Sequence, residues 1–178
     1  RAPKILNLFA YSGLASLHAA NVGAEVTHID ASKKAIQLAF NNRALSKLDK
    51  APIRFITDDA TQFVQRELRR GNFYDGIILD PPKYGRGPKG EIWQLHENLP
   101  HLLSDCSKLI SGSPLFLVAT IYAVRMSIIS IHSAIANNFV SHGGKITSGE
   151  IAIIEDYSVS DKPSRAIGQA LYVRWCGF

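Results

Sequence analysis

Cysteine is nearly absent from this chain. Cys106 and Cys176 are the only two among 178 residues. They lie far apart and form no CxxC pair, which excludes a disulfide framework and a thiolate zinc motif. The six histidines fall at no metal-ligand spacing such as HxxxH, so no metal is expected. No apolar run approaches the roughly 20 residues that span a bilayer. The opening Arg1-Ala2-Pro3-Lys4 runs straight into a strand-like segment, Ile5 to Phe9, without the regions of a signal peptide. A reducing cytoplasm and no membrane are the expectation. The first residue is not Met, as in a fragment of a longer chain. Repeats, low-complexity tracts and long linkers are also missing, which predicts a single domain over residues 1–178.

The chain is 46% hydrophobic and 20% charged, apolar enough for one sizeable core and too apolar for disorder. Its net charge of +5 suits a nucleic-acid partner and equally a bland solvated surface.

Strand-like and helix-like segments alternate. Lys4 to Phe9 precedes a turn at Tyr11-Ser12-Gly13 and a small-residue helix, Leu14 to Asn21. Glu25 to Asp30 reads as a second strand, and Ser32 can cap a helix running to about Ser46. Pro52 to Thr57 is a third strand. A helix over Ala60 to Arg70 ends at Gly71. Asp75 to Asp80 is a fourth strand, stopped by Pro81-Pro82. Asn98 is the expected cap of the next helix, with Pro100 in its first turn. Leu115 to Thr120 makes a fifth strand. Ile128, Ile131, Ile135 and Phe139 stripe a further helix, and Ile146 to Ile154 with Ala170 to Cys176 close the chain as an antiparallel pair. Parallel neighbours need crossover helices. The pattern therefore predicts an α/β, doubly wound, Rossmann-like sheet of seven strands, mostly parallel, with a C-terminal antiparallel strand.

Ligands in such sheets bind at the carboxyl ends of the strands. After the first strand, Phe9-Ala10-Tyr11-Ser12-Gly13 holds a single glycine rather than the GxGxxG that seats a pyrophosphate. The loop is an ordinary turn or a seat for a ligand lacking pyrophosphate. Asp30 ends the second strand, where a carboxylate can accept ribose hydroxyls or, with Ala31-Ser32, cap a helix. Of Asp58 and Asp59, Asp59 is expected to meet the ligand and Asp58 to cap the helix at Ala60. The fourth strand ends in Asp80-Pro81-Pro82-Lys83-Tyr84. Two prolines stiffen this turn and leave their carbonyls as acceptors, an arrangement that holds a base or amine for attack.

These segments (Leu6 to Gly13, Ile29-Asp30-Ala31-Ser32, Asp58-Asp59-Ala60 and Asp80 to Tyr84) resemble, in order and spacing, the motifs of class I S-adenosylmethionine (SAM)-dependent methyltransferases. More narrowly they resemble the bacterial large-subunit ribosomal RNA methyltransferases of the cytosine-C5 and guanine-N7 type, over about Ile5 to Trp175. The resemblance implies SAM as cofactor and RNA, ribosomal RNA in particular, as partner. It implies a seat for the methionine part formed by Phe9, Ala10 and Gly13 with Tyr11 and Ser12. Ribose would be held by Asp30 with Ala31 and Ser32 beside it, and adenine by Asp59 and Ala60. Asp80, Pro81, Pro82, Lys83 and Tyr84 would lie at the reacting atoms. Full members of that family carry RNA-binding segments before the first motif.

One departure matters. Cytosine-C5 methylation needs a cysteine thiolate, which in that family follows the fifth strand. Here Val118 to Ala123 has none, Cys106 sits on an apolar helix stripe, and Cys176 ends the last strand. A nitrogen target is therefore expected over C5. The basic loop Lys83 to Lys89 could hold phosphates while Tyr84 stacks on a base. Tyr122 and Arg125 could line the substrate side, and Trp93 and His96 are expected to pack. The alternatives are a methyltransferase for a small molecule or protein, a non-catalytic RNA-binding module, and a nicotinamide oxidoreductase, which the missing GxGxxG disfavours.

Overall fold

The computed structural model describes residues 1–122, 126–155 and 165–177. In chain order the elements are β1 (Lys4–Leu8), α1 (Leu14–Asn21), β2 (Glu25–Asp30), α2 (Lys33–Leu45), β3 (Ile53–Thr57), α3 (Ala60–Arg70) and β4 (Gly76–Leu79). A short hairpin of β5 (Tyr84–Arg86) and β6 (Ile92–Gln94) follows. Then come α4 (Leu95–Lys108), β7 (Phe116–Ile121), α5 (Ile128–Phe139), β8 (Lys145–Ile154) and β9 (Ala166–Cys176).

Seven strands form one sheet in the order β3-β2-β1-β4-β7-β9-β8. The first five in that order pair in parallel. β9 runs antiparallel to both β7 and β8. Alternating side chains on each strand feed two faces. Leu6, Leu8, Ile77 and Leu79 join Phe63 of α3, Leu102 and Leu103 of α4, and Ile135 and Phe139 of α5 in one buried cluster. Ile5, Val26 and Ile53 point the other way, against Leu17 and Ala20 of α1. Burial on both faces is why the parallel strands read as continuous apolar runs. The strand order reverses between β1 and β4, the switch point beside which such sheets bind ligands. No helix among the described residues is long and apolar enough to cross a membrane.

Two local expectations need correction. First, α4 begins at Leu95, so Asn98 is not its cap and Pro100 lies inside the helix. Leu95 and Leu99 are 1% and 4% exposed, and their burial extends the apolar stripe back by a turn. The Leu95 N–H donates to the Lys83 carbonyl (3.0 Å), and the Asn98 side chain accepts from the Gln94 N–H (2.6 Å). Second, Lys83 to Lys89 is not a plain loop. Tyr84–Arg86 pairs with Ile92–Gln94, and a turn through Gly87 and Gly90 connects them, closed by Gly87 N–H to the Glu91 carbonyl (2.8 Å).

Candidate active site

A cavity of about 350 Å³ opens at the carboxyl ends of β1, β2, β3, β4 and β7. Its walls bring together most of the residues singled out above.

The β1 loop is bent into an unusual path. Phe9 and Tyr11 adopt positive φ (56° and 44°), which costs a non-glycine residue roughly 1–2 kcal/mol. The strain is held by Ala10 N–H to the Ile29 carbonyl (3.0 Å), Gly13 N–H to the Ala10 carbonyl (3.0 Å) and Tyr11 N–H to Asp30 Oδ2 (2.9 Å). Phe9 and Tyr11 line the cavity, whereas Ala10, Ser12 and Gly13 do not. Gly13 is set by its backbone and by packing: φ is 89°, and a Cβ would sit 3.0 Å from the Ala39 Cβ, a contact that α2 would have to yield to. The Ser12 carbonyl accepts from the Asn42 side chain (2.9 Å).

Asp30 receives Tyr11 N–H on one oxygen and Ser32 N–H on the other (2.8 Å). The carboxylate is thus fixed in orientation, and each oxygen keeps a lone pair for a ligand. Ser32 supplies the cap of α2, its Oγ accepting from Ala35 N–H (3.3 Å). Asp30 is therefore not that cap. At β3 the cap falls to Asp59 and not, as expected, to Asp58. Asp59 is the N-cap of α3, accepting Gln62 N–H on Oδ1 (2.9 Å). Asp58 instead pairs with Arg66 and accepts the Asp59 N–H (2.9 Å). The cap falls to Asp59 because it immediately precedes Ala60 in extended conformation. Both acids, with Ala31, Ser32 and Ala60, line the cavity.

Asp80 lines the opposite wall and accepts a hydrogen bond from the Thr120 hydroxyl at the end of β7. Tyr122 lies in the same wall. Burial pushes its phenol pKa up, and the charge of Asp80 adds to that. Pro81 is buried. The expectation that both prolyl carbonyls stay free fails for Pro82, whose carbonyl accepts Trp93 Nε1–H (2.7 Å). Trp93 also packs against Phe9, the rings tilted by 54° with centroids 4.7 Å apart. It packs as expected, yet it also walls the cavity together with Pro82, Gly85, Arg86 and Gly87. Lys83 and Tyr84 are exposed and lie outside the lining. His96 is exposed rather than packed, and Arg125 lies outside the described residues.

Sequence reasoning assigned Gly85 to Gly87 to a phosphate-holding loop and gave Trp93 no part in a site. The signal for the hairpin was the cluster of glycines and Pro88 between two short extended stretches.

Neither cysteine reaches the cavity. Cys106 is fully buried in α4, where burial pushes its thiol pKa up. Cys176 pairs with Phe116 at the start of β7, the far end of the sheet. Among the described residues no cluster of three or more His, Cys, Asp or Glu could hold a metal.

Beneath the β1 loop lies a buried polar chain. Asn7 Nδ2 donates to Ser16 Oγ (2.9 Å), which shares a hydrogen bond with His28 Nδ1 (2.9 Å). Burial pushes the His28 pKa from 6.5 down to about 4, against the charge of Asp30 and the Tyr11 backbone, which both pull it up. Below pH 6.5 the unfolded chain takes up a proton here that the folded chain refuses until about pH 4. Stability is therefore complete above pH 6.5 and should fall as pH drops from there to 4, by about 3 kcal/mol for this group. Asp75 extends the loss to lower pH. Burial raises its pKa, but hydrogen bonds from Arg1, Ser111 and the Lys4 N–H, with the charge of Arg1, outweigh that and hold it at about 2. Urea melts across pH 4 to 7.5 would check this. A flat unfolding free energy between pH 6.5 and 4.5 would refute the buried neutral histidine.

A mostly parallel sheet with this strand order, a bent loop after β1 and acids ending β2 and β4 defines a domain of the class I methyltransferase type. The chain belongs to the Cons_hypoth95 family, described as conserved hypothetical protein 95, whose match spans residues 1–102. It is similar to ribosomal RNA large subunit methyltransferase I of Tolumonas auensis, 39% identical over 82 residues, covering 46% of this chain and 21% of that protein. Ribosomal RNA large subunit methyltransferase K/L of Shewanella frigidimarina is 38% identical over 109 residues, covering 60% of this chain and 15% of that protein. The matches thus span about a fifth or less of these curated relatives. The crystal structure of the SAM-dependent methyltransferase from Agrobacterium tumefaciens matches with TM-score 0.94 and 48% identity, covering 99% of this chain and 56% of that one. Magnesium protoporphyrin IX methyltransferase of Synechocystis, solved with bound SAM, shares the fold at TM-score 0.63 and 16% identity, covering 99% of this chain and 71% of that one.

Proposed function

We propose that this chain is the catalytic domain of a SAM-dependent methyltransferase acting on RNA, ribosomal RNA in particular, with a base nitrogen as acceptor, in the cytoplasm. The observation that carries the reading is Asp30, a carboxylate at the end of β2 oriented by two backbone N–H groups inside a cavity of about 350 Å³.

The residues fit SAM chemically. Asp30 can accept both ribose hydroxyls. Asp59 uses Oδ1 as a cap, which leaves Oδ2 for the exocyclic amine of adenine, with Ala60 beside it. The cavity is lined by Asp30, Asp58, Asp59 and Asp80, negative charge suited to a ligand bearing ammonium and sulfonium groups. SAM, when bound, supplies the electrophilic methyl group and its leaving group, so the protein positions and neutralises.

Asp80, in the cavity wall, is the acceptor for an N–H of the target. Holding that N–H orients the nitrogen lone pair, and the carboxylate takes up the proton released as the new bond forms. The position of both cysteines away from the cavity supports nitrogen over cytosine C5, since the latter requires a thiolate. An RNA substrate is supported by exposed Lys83, Lys89 and Tyr84 on and beside the hairpin. Lys33 and Lys34 open α2 next to Ser32, at a helix end whose dipole disfavours cations. The relatives named for ribosomal RNA support the same substrate class.

Calorimetric titration with SAM, and with NAD as control, tests the reading. Saturable binding of SAM alone is expected, followed by detection of a methylated base in ribosomal RNA by mass spectrometry. Binding of NAD with no binding of SAM would overturn it.

A further inference from the structure

The cavity poses an electrostatic problem that its known motifs do not solve. Asp30, Asp59 and Asp80 line it and together repel any anionic group of a ligand, whereas the charge of Asp58 in the same wall is offset by Arg66. SAM carries one such group, the carboxylate of its methionine part. Among the described residues lining the cavity, Arg86 alone is a lysine or arginine. Its side chain enters no ion pair or hydrogen bond among the described residues, although carboxylates line the same cavity. Other arginines near carboxylates are paired: Arg66 with Asp58, Arg1 with Asp75, Arg70 with Glu67.

The hairpin that carries Arg86 is anchored rather than loose. Trp93, opposite Gly85 in the register, donates to the Pro82 carbonyl and packs against Phe9 of the β1 loop. Glu91 accepts the Lys89 N–H (2.8 Å) and braces the turn. The guanidinium is therefore presented from a fixed ribbon that touches the loop expected to seat the methionine part. A planar guanidinium matches a carboxylate in a bidentate fork, which a lysine does not.

We infer that Arg86 is the carboxylate clamp for the methionine end of SAM, so that the β5–β6 hairpin is a cofactor-recognition element. This rests on the SAM reading above. It is favoured over a phosphate contact because Arg86 lines the cavity itself, whereas Lys83 and Lys89 lie outside the lining.

The test compares binding of SAM and decarboxylated SAM, which keeps every other group, to the wild-type protein and to Arg86→Gln. Arg86 is exposed, so the variant should fold. The wild type should prefer SAM by roughly tenfold or more. The variant should lose at least roughly tenfold in affinity for SAM and should bind the decarboxylated ligand equally well or better, because the acids then act unopposed. A variant that keeps the preference for SAM overturns the proposal. So does one that keeps SAM affinity but binds RNA less well, which would assign Arg86 to a phosphate. A wild type that binds neither ligand overturns the SAM reading itself, and is distinguishable because no variant is needed to see it.

Discussion

Replacing Asp80 with Asn should lower the rate of methyl transfer by about 10²–10⁴-fold, the range typical for removing a positioned proton acceptor. Asparagine keeps the shape and one acceptor oxygen for the Thr120 hydroxyl, so the wall formed with Tyr122 and Pro82 should survive. What it loses is the charge that receives the proton from the attacking nitrogen, and half the acceptor capacity that orients the N–H. SAM affinity should change by less than roughly tenfold, because Asp30 and Asp59 on the other wall are untouched. The measurement is single-turnover methylation of ribosomal RNA beside calorimetry. An Asn variant with full turnover would remove Asp80 from the chemistry. A variant that loses SAM binding in proportion to turnover would make it a cofactor contact instead. Thr120→Val should show a weaker form of the same defect, since it frees the carboxylate without neutralising it.

Asp30→Ala should weaken SAM binding by at least about 1.4 kcal/mol, a tenfold loss, and should lower stability as well. The carboxylate does two jobs. It is the proposed acceptor for ribose, and it ties down Tyr11 N–H and Ser32 N–H, bonds to a charged group worth roughly 1.5–3 kcal/mol each when well shielded. Asp30 is only half-buried, so the lower end applies. Alanine frees Tyr11 from its positive φ of 44° and lets the β1 loop relax away from the cavity. Asp30→Asn should fall between, keeping one acceptor. Unchanged affinity in the alanine variant would sink the ribose assignment, whatever happened to stability.

The strand-end wall of the cavity was legible before the fold was known, because each strand end is a local feature. A short apolar run stopped by Asp30 or by Asp80-Pro81-Pro82 marks both the end of a buried strand and a polar group at its tip. Ser32 as a cap followed from the same logic and holds in the structure. The cap expected of Asp58 did not hold, because which of two adjacent acids caps a helix depends on backbone angles at that junction. Arg66, which pairs with Asp58, lies in the second turn of α3 and could not be matched to it without knowing the extended path between them.

The hairpin wall of the cavity was hidden. Tyr84 to Gln94 reads as loop because its pairing is too short for periodicity and its turn is rich in glycine. Only packing of Trp93 on Phe9, distant in sequence, turns it into a wall of the cavity. The same burial drew α4 back to Leu95.

By itself, then, the sequence determined the class of fold, the parallel order implied by alternating strands and helices, and the acids at the strand ends, since hydrophobic period and chain punctuation are local properties. The tertiary structure decided the rest: the strained β1 loop, the neutral buried His28, the distance of both cysteines from the cavity and the presence of Arg86 in its lining. Each of these depends on which residues meet across the sheet, and burial and field arise only there.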